Sequence, residues 1–374
     1  MPTLTSDKPY WLAVHKILGT SMNSSFGPLL HYYGSLSEFW LARDTVPVSG
    51  LKNEARQRLI EGRKSMDAEG LWQSCQQLGI GIVTCKDEEF SKELLQIAAY
   101  PCILYYHGNL NLLNHLSAAI VGSRMTSAYG LMHSSFFAEY LSAHGICVVS
   151  GMAEGIDSAA HRGALKAGGN TIAVLGTGID VCYPRSNQSL YERLCREALV
   201  VSEFPPGSPP NKWQFPQRNQ VISGLSRLVL LIEAKARSGA LITCDHALEQ
   251  GREVCALPGP VTNPGSIGPL RLIQQGAKLV ITPQDVMLEL QEIKDDSAVF
   301  HRQNSLFDAS QDTAAGTLEQ EEKKIMSRLS YEPVHIDQLL ELTGMAFGSL
   351  FISLAKLKKR QIIDELPGSY YLRI

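Results

Sequence analysis

The chain has 374 residues, of which 44% are hydrophobic and 19% charged, and its formal net charge is −3. This is the composition of a globular protein large enough for two or three cores, and it excludes a disordered chain and a chain that is basic throughout. A local basic patch is still compatible with it, because nearby charges set the field at a site. No window approaches the ~20 apolar residues of a membrane span and the start has no secretory pattern, so we expect a cytoplasmic protein with no membrane partner.

The eight cysteines form no Cys-x-x-Cys pair, and several, such as Cys147 and Cys255, lie inside apolar strand-like runs. This pattern predicts free, mostly buried thiols in a reducing compartment. We therefore expect neither disulfides nor a bound metal ion.

The first region, residues 1–116, is mostly helical in its hydrophobic period. Trp11–Leu18 is amphipathic, and Pro28–Trp40 follows it after a turn. The two runs predict a small N-terminal helical domain of the helical-hairpin (SAM-like) type, and residues 79–84 and 103–106 add two short strand candidates.

The second region, residues 117–290, alternates short apolar runs with segments long enough for a crossover helix. Apolar runs without polar alternation indicate strands that are buried on both faces. The alternation predicts an α/β domain with an extended Rossmann-like, doubly wound parallel sheet, whose ligands bind beyond the carboxyl ends of the strands. The strand candidates are Ala118–Val121, Ile146–Val149, Thr171–Leu175, Leu199–Ser202, Leu228–Glu233, Glu253–Leu257 and Lys278–Ile281.

The last part of the chain divides into a linker and a small domain. Residues 291–317 are polar and predict the linker. Residues 318–374 predict three helices, at Glu321–Leu329, His335–Leu342 and Ala346–Arg360, followed by a hairpin. This is the element order of a winged helix, a variant of the helix-turn-helix. Basic residues at the end of the third helix leave two roles open, duplex-DNA binding and protein interaction.

Arginine, lysine and asparagine residues on predicted turns flank the strand candidate Leu228–Glu233, next to an aromatic residue on one side and to serine and glycine at a predicted helix start on the other. Backbone N–H groups at a helix N-terminus, together with the helix dipole, favour anions such as phosphate. Arginine and lysine beside them add selectivity for negative charge. The flanking residues are Phe215, Arg218, Asn219, Lys235, Arg237, Ser238 and Gly239.

The first strand of the sheet ends in Gly122-Ser123-Arg124. A glycine there lets the backbone approach a ligand, and Ser123 and Arg124 carry donors for phosphate, although a tight turn between strand and helix also explains Gly122. The sequence has neither the Gly-x-Gly-x-x-Gly dinucleotide pattern nor the Gly-x-x-x-x-Gly-Lys-Ser/Thr pattern. We therefore do not expect one of the usual nucleotide sites.

Ser150, Asp157 and His161 follow the second strand and suggest a hydrolase. The Gly-x-Ser-x-Gly elbow of such enzymes is absent, and Asp157 and His161 are one helical turn apart. That spacing favours capping and local hydrogen bonding over catalysis.

Several separated motifs of the second region carry a specific resemblance. They occur in the order seen in the DNA-processing protein A family (DprA, also called Smf), and the match spans the whole region. The helical start and the winged-helix end are similar to the longer members of that family. The motifs are Ala119–Arg124, Ser150–Asp157 with Ala160-His161, Tyr183-Pro184, Ser202-Glu203, Phe215-Pro216 with Arg218-Asn219, Ser238-Gly239 with Leu241–Thr243, Gly251-Arg252 and Pro258-Gly259.

The resemblance implies a protein that binds single-stranded DNA through an extended Rossmann domain, protects incoming strands during natural transformation and helps to load a RecA-type recombinase. It also implies a homodimer without established catalytic activity, so we expect no catalytic residue and no cofactor. Basic residues supply salt-sensitive phosphate contacts, and Trp213 and Phe215 are candidates for stacking on unpaired bases, with Phe215 preferred. The predicted DNA-binding residues are Gly122, Ser123, Arg124, Lys212, Phe215, Arg218, Asn219, Lys235, Arg237, Ser238 and Gly239.

Two positions depart from the family pattern. Members commonly have a third cation where this chain has Gln220, and usually an asparagine where it has Leu270. The first departure makes the predicted groove one charge poorer. We expect Arg252 to add its charge at the same sheet edge, and Leu270, Leu272 and Ile273 to contribute to an apolar dimer surface.

Two other functions stay open on the sequence. A Rossmann-like nucleotide phosphoribohydrolase of the lysine-decarboxylase-like type has a similar sheet and glycine loops, but it should show Pro-Gly-Gly-x-Gly-Thr with a following glutamate. This chain has Ser238–Thr243 instead, without an acid. A transcription regulator would rest on the winged helix alone.

Overall fold

A computed structural model describes residues 7–19, 26–42, 48–291, 320–326, 328–329, 334–359, 363–366 and 370–373. The described residues form two compact units, one before and one after residue 298. The predicted linker, 291–317, lies outside the described residues except for its first position.

The first unit is built on a nine-stranded sheet. Every strand predicted from the sequence of this unit is present, with bounds shifted by at most a few residues. The strands are β1 (Gly81–Thr84), β2 (Ile103–Gly108), β3 (Ser117–Val121), β4 (Cys147–Ser150), β5 (Thr171–Leu175), β6 (Leu199–Ser202), β7 (Leu228–Leu231), β8 (Glu253–Ala256) and β9 (Lys278–Leu279).

The strand order, β1-β2-β6-β5-β4-β3-β7-β8-β9, confirms the doubly wound sheet. Strands β3 to β9 are parallel to one another, and β1 and β2 are antiparallel additions beside β6. The chain runs outward from β3 to β6 on one side and then returns to begin β7 on the other side of β3. This reversal opens a crevice at the carboxyl ends of β3 and β7, where doubly wound sheets bind ligands.

Helices cover both faces of this sheet. They alternate with the strands, as right-handed crossover connections require. The helices of the first unit are α1 (Lys8–Leu18), α2 (Gly27–Tyr33), α3 (Leu36–Leu41), α4 (Asn53–Ser65), α5 (Ala68–Gln77), α6 (Ala128–Ala143), α7 (Ile156–Lys166), α8 (Gln188–Glu197), α9 (Gln214–Gly224), α10 (Gly239–Glu249), α11 (Ile267–Gln274) and α12 (283–291).

Side chains of one strand point alternately to the two faces, and here both faces are apolar. Ile120 of β3 is buried in the same cluster as Phe137 of α6. Its neighbour Val121 is buried in a different cluster, which contains Val221 of α9. Because the central strands are enclosed on both sides, a ligand can reach them only at their ends.

The N-terminal helices pack onto the same sheet. His15 of α1 is fully buried, and its Nδ1 lies 2.8 Å from the hydroxyl oxygen of Tyr105 on β2. Burial lowers the pKa of His15 to about 3, so its imidazole is neutral at pH 7. Since β2 also pairs with β6, the boundary predicted between residues 116 and 117 does not separate two compact units.

The second unit is a winged helix, as predicted. Three buried leucines, Leu339, Leu350 and Leu354, lie at the centre of its core. Its three-stranded sheet has the order β10-β12-β11. Its elements are α13 (Gln320–Met326), β10 (Val334–His335), α14 (Ile336–Thr343), α15 (Phe347–Lys359), β11 (Ile363–Leu366) and β12 (Tyr370–Arg373).

Within the described ranges, no single helix is both long and apolar enough to cross a membrane. Helices α14 and α15 meet those criteria only when they are taken as a pair, and the pair is bent by 112°. Their inward-facing leucines form the core of the second unit.

Candidate nucleic-acid interface

A cleft of about 450 Å³ lies at the carboxyl ends of β3 and β7, in the crevice where the strand order reverses. It is lined by the loops that follow β3, β4 and β7 and by the first turns of α9 and α10. Lys212 is exposed but is not among the lining residues. The other ten predicted residues line the cleft: Gly122, Ser123, Arg124, Phe215, Arg218, Asn219, Lys235, Arg237, Ser238 and Gly239.

The walls of the cleft carry exposed positive charge. Arg124 follows β3, Lys235 and Arg237 follow β7, and all three residues are exposed. Among the lining residues that the structure describes, the one acid is Asp157, and it is buried. From these described residues, a polyanion in the cleft would therefore meet three accessible cations and no exposed carboxylate.

The N-terminus of α10 opens on the same cleft. Ser238 caps this helix, because its Oγ accepts a hydrogen bond of 3.4 Å from the backbone N–H of Ala240. Gly239 is exposed, and a Cβ added there would meet no atom within 4 Å. A ligand can thus approach the backbone at a point where the helix dipole favours an anion.

Phe215 supplies an aromatic surface that two cavities share. It lines the main cleft and a neighbouring cavity of about 70 Å³. The guanidinium carbon of Arg124 lies 5.3 Å from the centroid of its ring, and the ring of Tyr183 lies 5.6 Å away at 46°. Trp213 is 62% exposed, packs edge-on against Phe204 and lines neither cavity. The geometry therefore favours Phe215 over Trp213 as a stacking surface.

Arg218 forms a buried cross-link beneath the cleft. It lies inside α9 rather than on a turn, and it is 4% exposed. Its Nη1 donates hydrogen bonds to the carbonyl oxygens of Gly151 and Val174, at the ends of β4 and β5. Its Nε donates to Oδ1 of Asn219 at 3.2 Å, and Nδ2 of Asn219 donates to the carbonyl of Gly239 at 3.3 Å. These bonds connect α9 to two strands and to α10.

Burial changes the ionisation of the two charged groups under the cleft. It lowers the pKa of Arg218 to about 10, although the negative charge of Asp157 opposes the shift. Burial also raises the pKa of Asp157, against the opposing effect of Arg218. The opposite charges of Arg218 and Asp157 therefore stabilise each other in a site from which water is excluded.

The local hydrogen bonding predicted for Asp157 is confirmed, whereas His161 bonds to a neighbouring strand. The carboxylate of Asp157 accepts from the backbone N–H groups of Gly151 and Ala153, at 3.1 and 3.4 Å. Nδ1 of His161 lies 2.8 Å from Oγ1 of Thr171, and burial lowers the pKa of this histidine to about 3. Asp157 thus fixes the turn between β4 and α7, whereas His161 joins α7 to the start of β5.

Packing explains Gly122 better than ligand approach does. A Cβ at this position would lie 2.6 Å from Ile156 and 2.9 Å from the carbonyl oxygen of Glu233. The N–H of Ser123 donates to that same carbonyl at 2.7 Å, and its hydroxyl donates to the carbonyl of Met125 at 2.7 Å. The donors of Ser123 are thus engaged within the protein.

Glu233, which sequence reasoning missed, connects the loops around the cleft. Its carboxylate accepts from the hydroxyl of Thr126 at 2.5 Å, from the N–H and hydroxyl of Ser127 at 2.9 and 2.5 Å, and from Nδ2 of Asn263 at 3.2 Å. Burial acts to raise the pKa of Glu233, but these hydrogen bonds outweigh it and the pKa lies below its ordinary value. The sequence did contain a signal for this role, because Glu233 ends an apolar strand. A buried acid at such a position is tolerated only when its carboxylate is fully hydrogen-bonded.

We expect Glu233→Gln to destabilise the fold by about 1–3 kcal/mol at pH 7, because an amide places its own donors against groups that donate. The stabilisation by the carboxylate is fully present above the ordinary glutamate pKa of 4.5 and is lost as pH falls through the lower folded value. The difference in unfolding free energy should therefore shrink below that pH. Urea denaturation of both proteins from pH 7 downward measures it, and a difference that stays constant would contradict the role.

Arg252 does not join the cations of the cleft, so that prediction was wrong. It precedes β8 and lies at the amino end of the strand, whereas the cleft lies at the carboxyl ends. Its Nη1 donates to Oε2 of Glu93 at 2.8 Å, and its Nη2 donates to the carbonyl of Glu93 at 2.9 Å. In a parallel sheet, a residue before a strand and a residue after it lie at opposite edges.

The predicted dimer surface was also wrong for Leu272. This residue is 7% exposed and belongs to the core, and Leu270 and Ile273 are half-buried. The period of α11 turns Leu272 toward the sheet, which the apolar composition alone did not reveal. Exposed apolar side chains of this part of the chain lie further on, at Leu279, Ile281 and Leu288.

Comparison with known proteins identifies the family. The family model described as DNA recombination-mediator protein A matches residues 81–291, which include the whole cleft, and the model of the DprA winged helix domain matches residues 309–368. The chain belongs to the DNA recombination-mediator protein A family. The resemblance stated from the sequence motifs is thereby confirmed.

Individual members of the recombination-mediator family resemble most of the chain. Protein Smf of Escherichia coli strain K12 is 37% identical over 327 residues, which are 86% of this chain and 85% of that protein. DNA processing protein DprA of Streptococcus pneumoniae is 40% identical over 269 residues, 72% of this chain and 94% of that protein.

Two solved structures of the recombination-mediator family share the fold. That of DprA from Streptococcus pneumoniae has a TM-score of 0.64 at 36% identity and covers 75% of this chain and 97% of that one. That of DprA from Helicobacter pylori has a TM-score of 0.52 at 27% identity and covers 56% of this chain and 96% of that one. The Helicobacter pylori structure is described for its single-stranded DNA binding mode.

Proposed function

We propose that this protein binds single-stranded DNA along the cleft, protects incoming strands during natural transformation in the cytoplasm, and helps to load a RecA-type recombinase. The observation that carries the proposal is one open groove that combines exposed cations with the half-buried ring of Phe215. Cations neutralise successive phosphates, and an aromatic ring stacks on an unpaired base. The Helicobacter pylori relative, with its single-stranded DNA binding mode, supports the same ligand here.

The distribution of charge supports a chain of phosphates rather than one nucleotide. Arg124 lies on the loop after β3, and Lys235 and Arg237 lie on the loop after β7, on both sides of the crevice. A nucleotide hydrolase, the alternative left open by the sequence, needs an accessible acid. The acid described in the lining of the cleft, Asp157, is buried and accepts two backbone hydrogen bonds. The exposed Glu154 lines the neighbouring smaller cavity, where its carboxylate accepts a hydrogen bond from the hydroxyl of Ser186 at 2.6 Å. We infer that the cleft binds its ligand without hydrolysing it.

A competition titration tests the proposed ligand. Fluorescent oligo-dT should bind the full chain, which its anisotropy measures. The binding should persist in excess AMP and should weaken steeply as the salt concentration is raised. Displacement by AMP with release of ribose phosphate would favour the hydrolase. A preference for one duplex sequence over oligo-dT would favour a transcription regulator.

Phe215→Ala should weaken oligo-dT binding about five- to 150-fold, because base stacking on an aromatic side chain contributes roughly 1–3 kcal/mol. The dependence of the affinity on salt concentration should not change, because the variant keeps the contacts to phosphate. Phe215→Tyr keeps the ring and is the matched control, with affinity close to that of the unaltered protein. An equal loss in both variants would exclude stacking as the cause.

We also propose that the protein is a homodimer, formed through the edge of the sheet at β9. Leu279 of β9, Ile281 just after it and Leu288 of α12 are 46%, 63% and 56% exposed, and exposed apolar side chains beside an edge strand favour contact with another copy. Ile281→Glu should convert the dimer to a monomer in light scattering. Met132→Glu, which alters a similarly exposed side chain on α6, should leave it dimeric. An unchanged mass for Ile281→Glu would place the interface elsewhere.

A further inference from the structure

The outward face of α15 is apolar, although in helix-turn-helix proteins this helix reads DNA. Phe347, Phe351 and Ile352 are 58%, 53% and 46% exposed. The two phenylalanine rings are stacked, with centroids 6.1 Å apart and planes at 19°. From Phe347 to Ala355 the helix carries no charged residue. Recognition of base edges needs polar or basic side chains, so this face fits a protein surface better than a duplex.

The apolar outer face is not needed to build the winged helix. The opposite face of α15 carries Leu350, Leu354 and Leu357, which are at most 1% exposed and complete the core of the unit. A helix with one buried face normally presents polar residues on the other. A contiguous exposed apolar face marks a contact site.

We propose that this face binds a second copy of the same chain, with the two α15 helices antiparallel and Phe351 near the two-fold axis. Phe347, Phe351 and Ala355 recur at a spacing of four on the outer face, and residues at this spacing lie on one side of a helix. Antiparallel pairing about Phe351 places each Phe347 against the small Ala355 of the partner subunit. The face is thus complementary to itself, as a two-fold contact requires.

Charged residues at the two ends of the outer face of α15 also support a second copy of the chain as its binding partner. The outer stripe becomes basic in the last turn of α15, where Lys358 is exposed, and Glu341 is exposed near the end of α14. Antiparallel pairing brings the carboxyl end of one α15 to the amino end of the other. Lys358 of each copy then approaches Glu341 of the partner subunit, so opposite charges meet at both ends. A DNA duplex would instead meet the carboxylate.

The contact is weak on its own, because a few side chains bury less area than a stable interface requires. When the chain also dimerises through another surface, a second two-fold contact links dimers into larger assemblies. Binding at one surface raises the effective concentration at the other. The contact between the two α15 helices does not require DNA in the cleft.

Sedimentation velocity of the full chain without DNA tests the antiparallel arrangement of the two α15 helices, with variants in which the charge at one end of the contact is reversed. Glu341→Lys and Lys358→Glu each place like charges at both ends of the contact, so each variant alone should associate several-fold less than the unaltered protein. In an equimolar mixture, mixed pairs carry opposite charges at both ends again, and association should recover. A mixture that behaves as the average of its components would overturn the proposal, as would single variants that associate normally.

A cysteine near the axis gives an independent test. In Phe351→Cys, diamide oxidises one thiol from each copy to an intermolecular disulfide and is itself reduced to the hydrazine. Covalent dimers on a non-reducing gel should form at least several-fold faster than in Arg328→Cys, which alters an exposed residue of the same unit, and faster than in the unaltered chain with its eight cysteines. Equal rates, or disulfides confined to single chains, would overturn the proposal.

Discussion

Replacing Arg124 or Lys235 by alanine should weaken oligo-dT binding and flatten its dependence on salt. The two exposed cations lie on different loops of the cleft, and each neutralises a phosphate whose counterions are released on binding. For single strands the slope of log K against log salt changes by about 0.7 for each phosphate contact, so the double variant should lose about 1.4. Fluorescence anisotropy over a series of salt concentrations measures the slope.

Lys92→Ala is the matched control for these two variants. Lys92 is also an exposed lysine, but it lies beside Ser117 at the amino end of β3, at the opposite edge of the sheet. Its removal should leave both the affinity and the salt slope unchanged. Normal slopes in Arg124→Ala and Lys235→Ala together would show that DNA binds to another surface.

Arg218→Ala should act on folding and should have the largest effect on stability. The change leaves the carbonyls of Gly151 and Val174 without their donor and Asp157 without a neighbouring cation. Removing one member of a buried charged network costs about 3–5 kcal/mol. At about 2–4 °C for each kcal/mol, the melting temperature should fall by roughly 6–20 °C, which thermal unfolding followed by circular dichroism measures.

Lys235→Ala removes an equal charge from the same cleft and serves as the control for this effect. Because Lys235 is exposed, its loss should change stability by less than about 0.5 kcal/mol. Arg218→Lys keeps the charge without the planar fork that reaches two carbonyls, so its stability should be intermediate. If Arg218→Ala melts normally but loses salt dependence in DNA binding, Arg218 contacts phosphate and the structural role is wrong.

The strands were predictable because they are short apolar runs buried on both faces. Thr171–Leu175 and Leu199–Ser202 have the bounds that the sequence predicts, since turn residues follow each run. The predictions at Leu228–Glu233 and Glu253–Leu257 extend one or two residues too far. Ile232 and Leu257 are buried beyond the strand ends, so apolar composition does not locate those ends.

The positions of the exposed residues of the site could be predicted from the order of strands and loops in the sequence, whereas the positions of the buried residues could not. Arg124 and Lys235 come shortly after strands, and in a parallel sheet such residues share one edge. Arg218 and Glu233 are also charged residues next to apolar runs, but their surroundings come from segments distant in sequence. Arg252 is next to β8 in the sequence, but it precedes the strand and therefore lies at the opposite edge of the sheet from the cleft.

Photocrosslinking decides whether single-stranded DNA lies in the cleft. An oligo-dT that carries 4-thiothymidine is bound to the full chain, irradiated, and its attachment sites are located by peptide mass spectrometry. We expect crosslinks on peptides that contain Arg124, Phe215 or Lys235, and we expect excess unlabelled oligo-dT to remove them. Crosslinks confined to residues 318–374, or to the opposite sheet edge around Lys92, would refute the proposed position of the DNA.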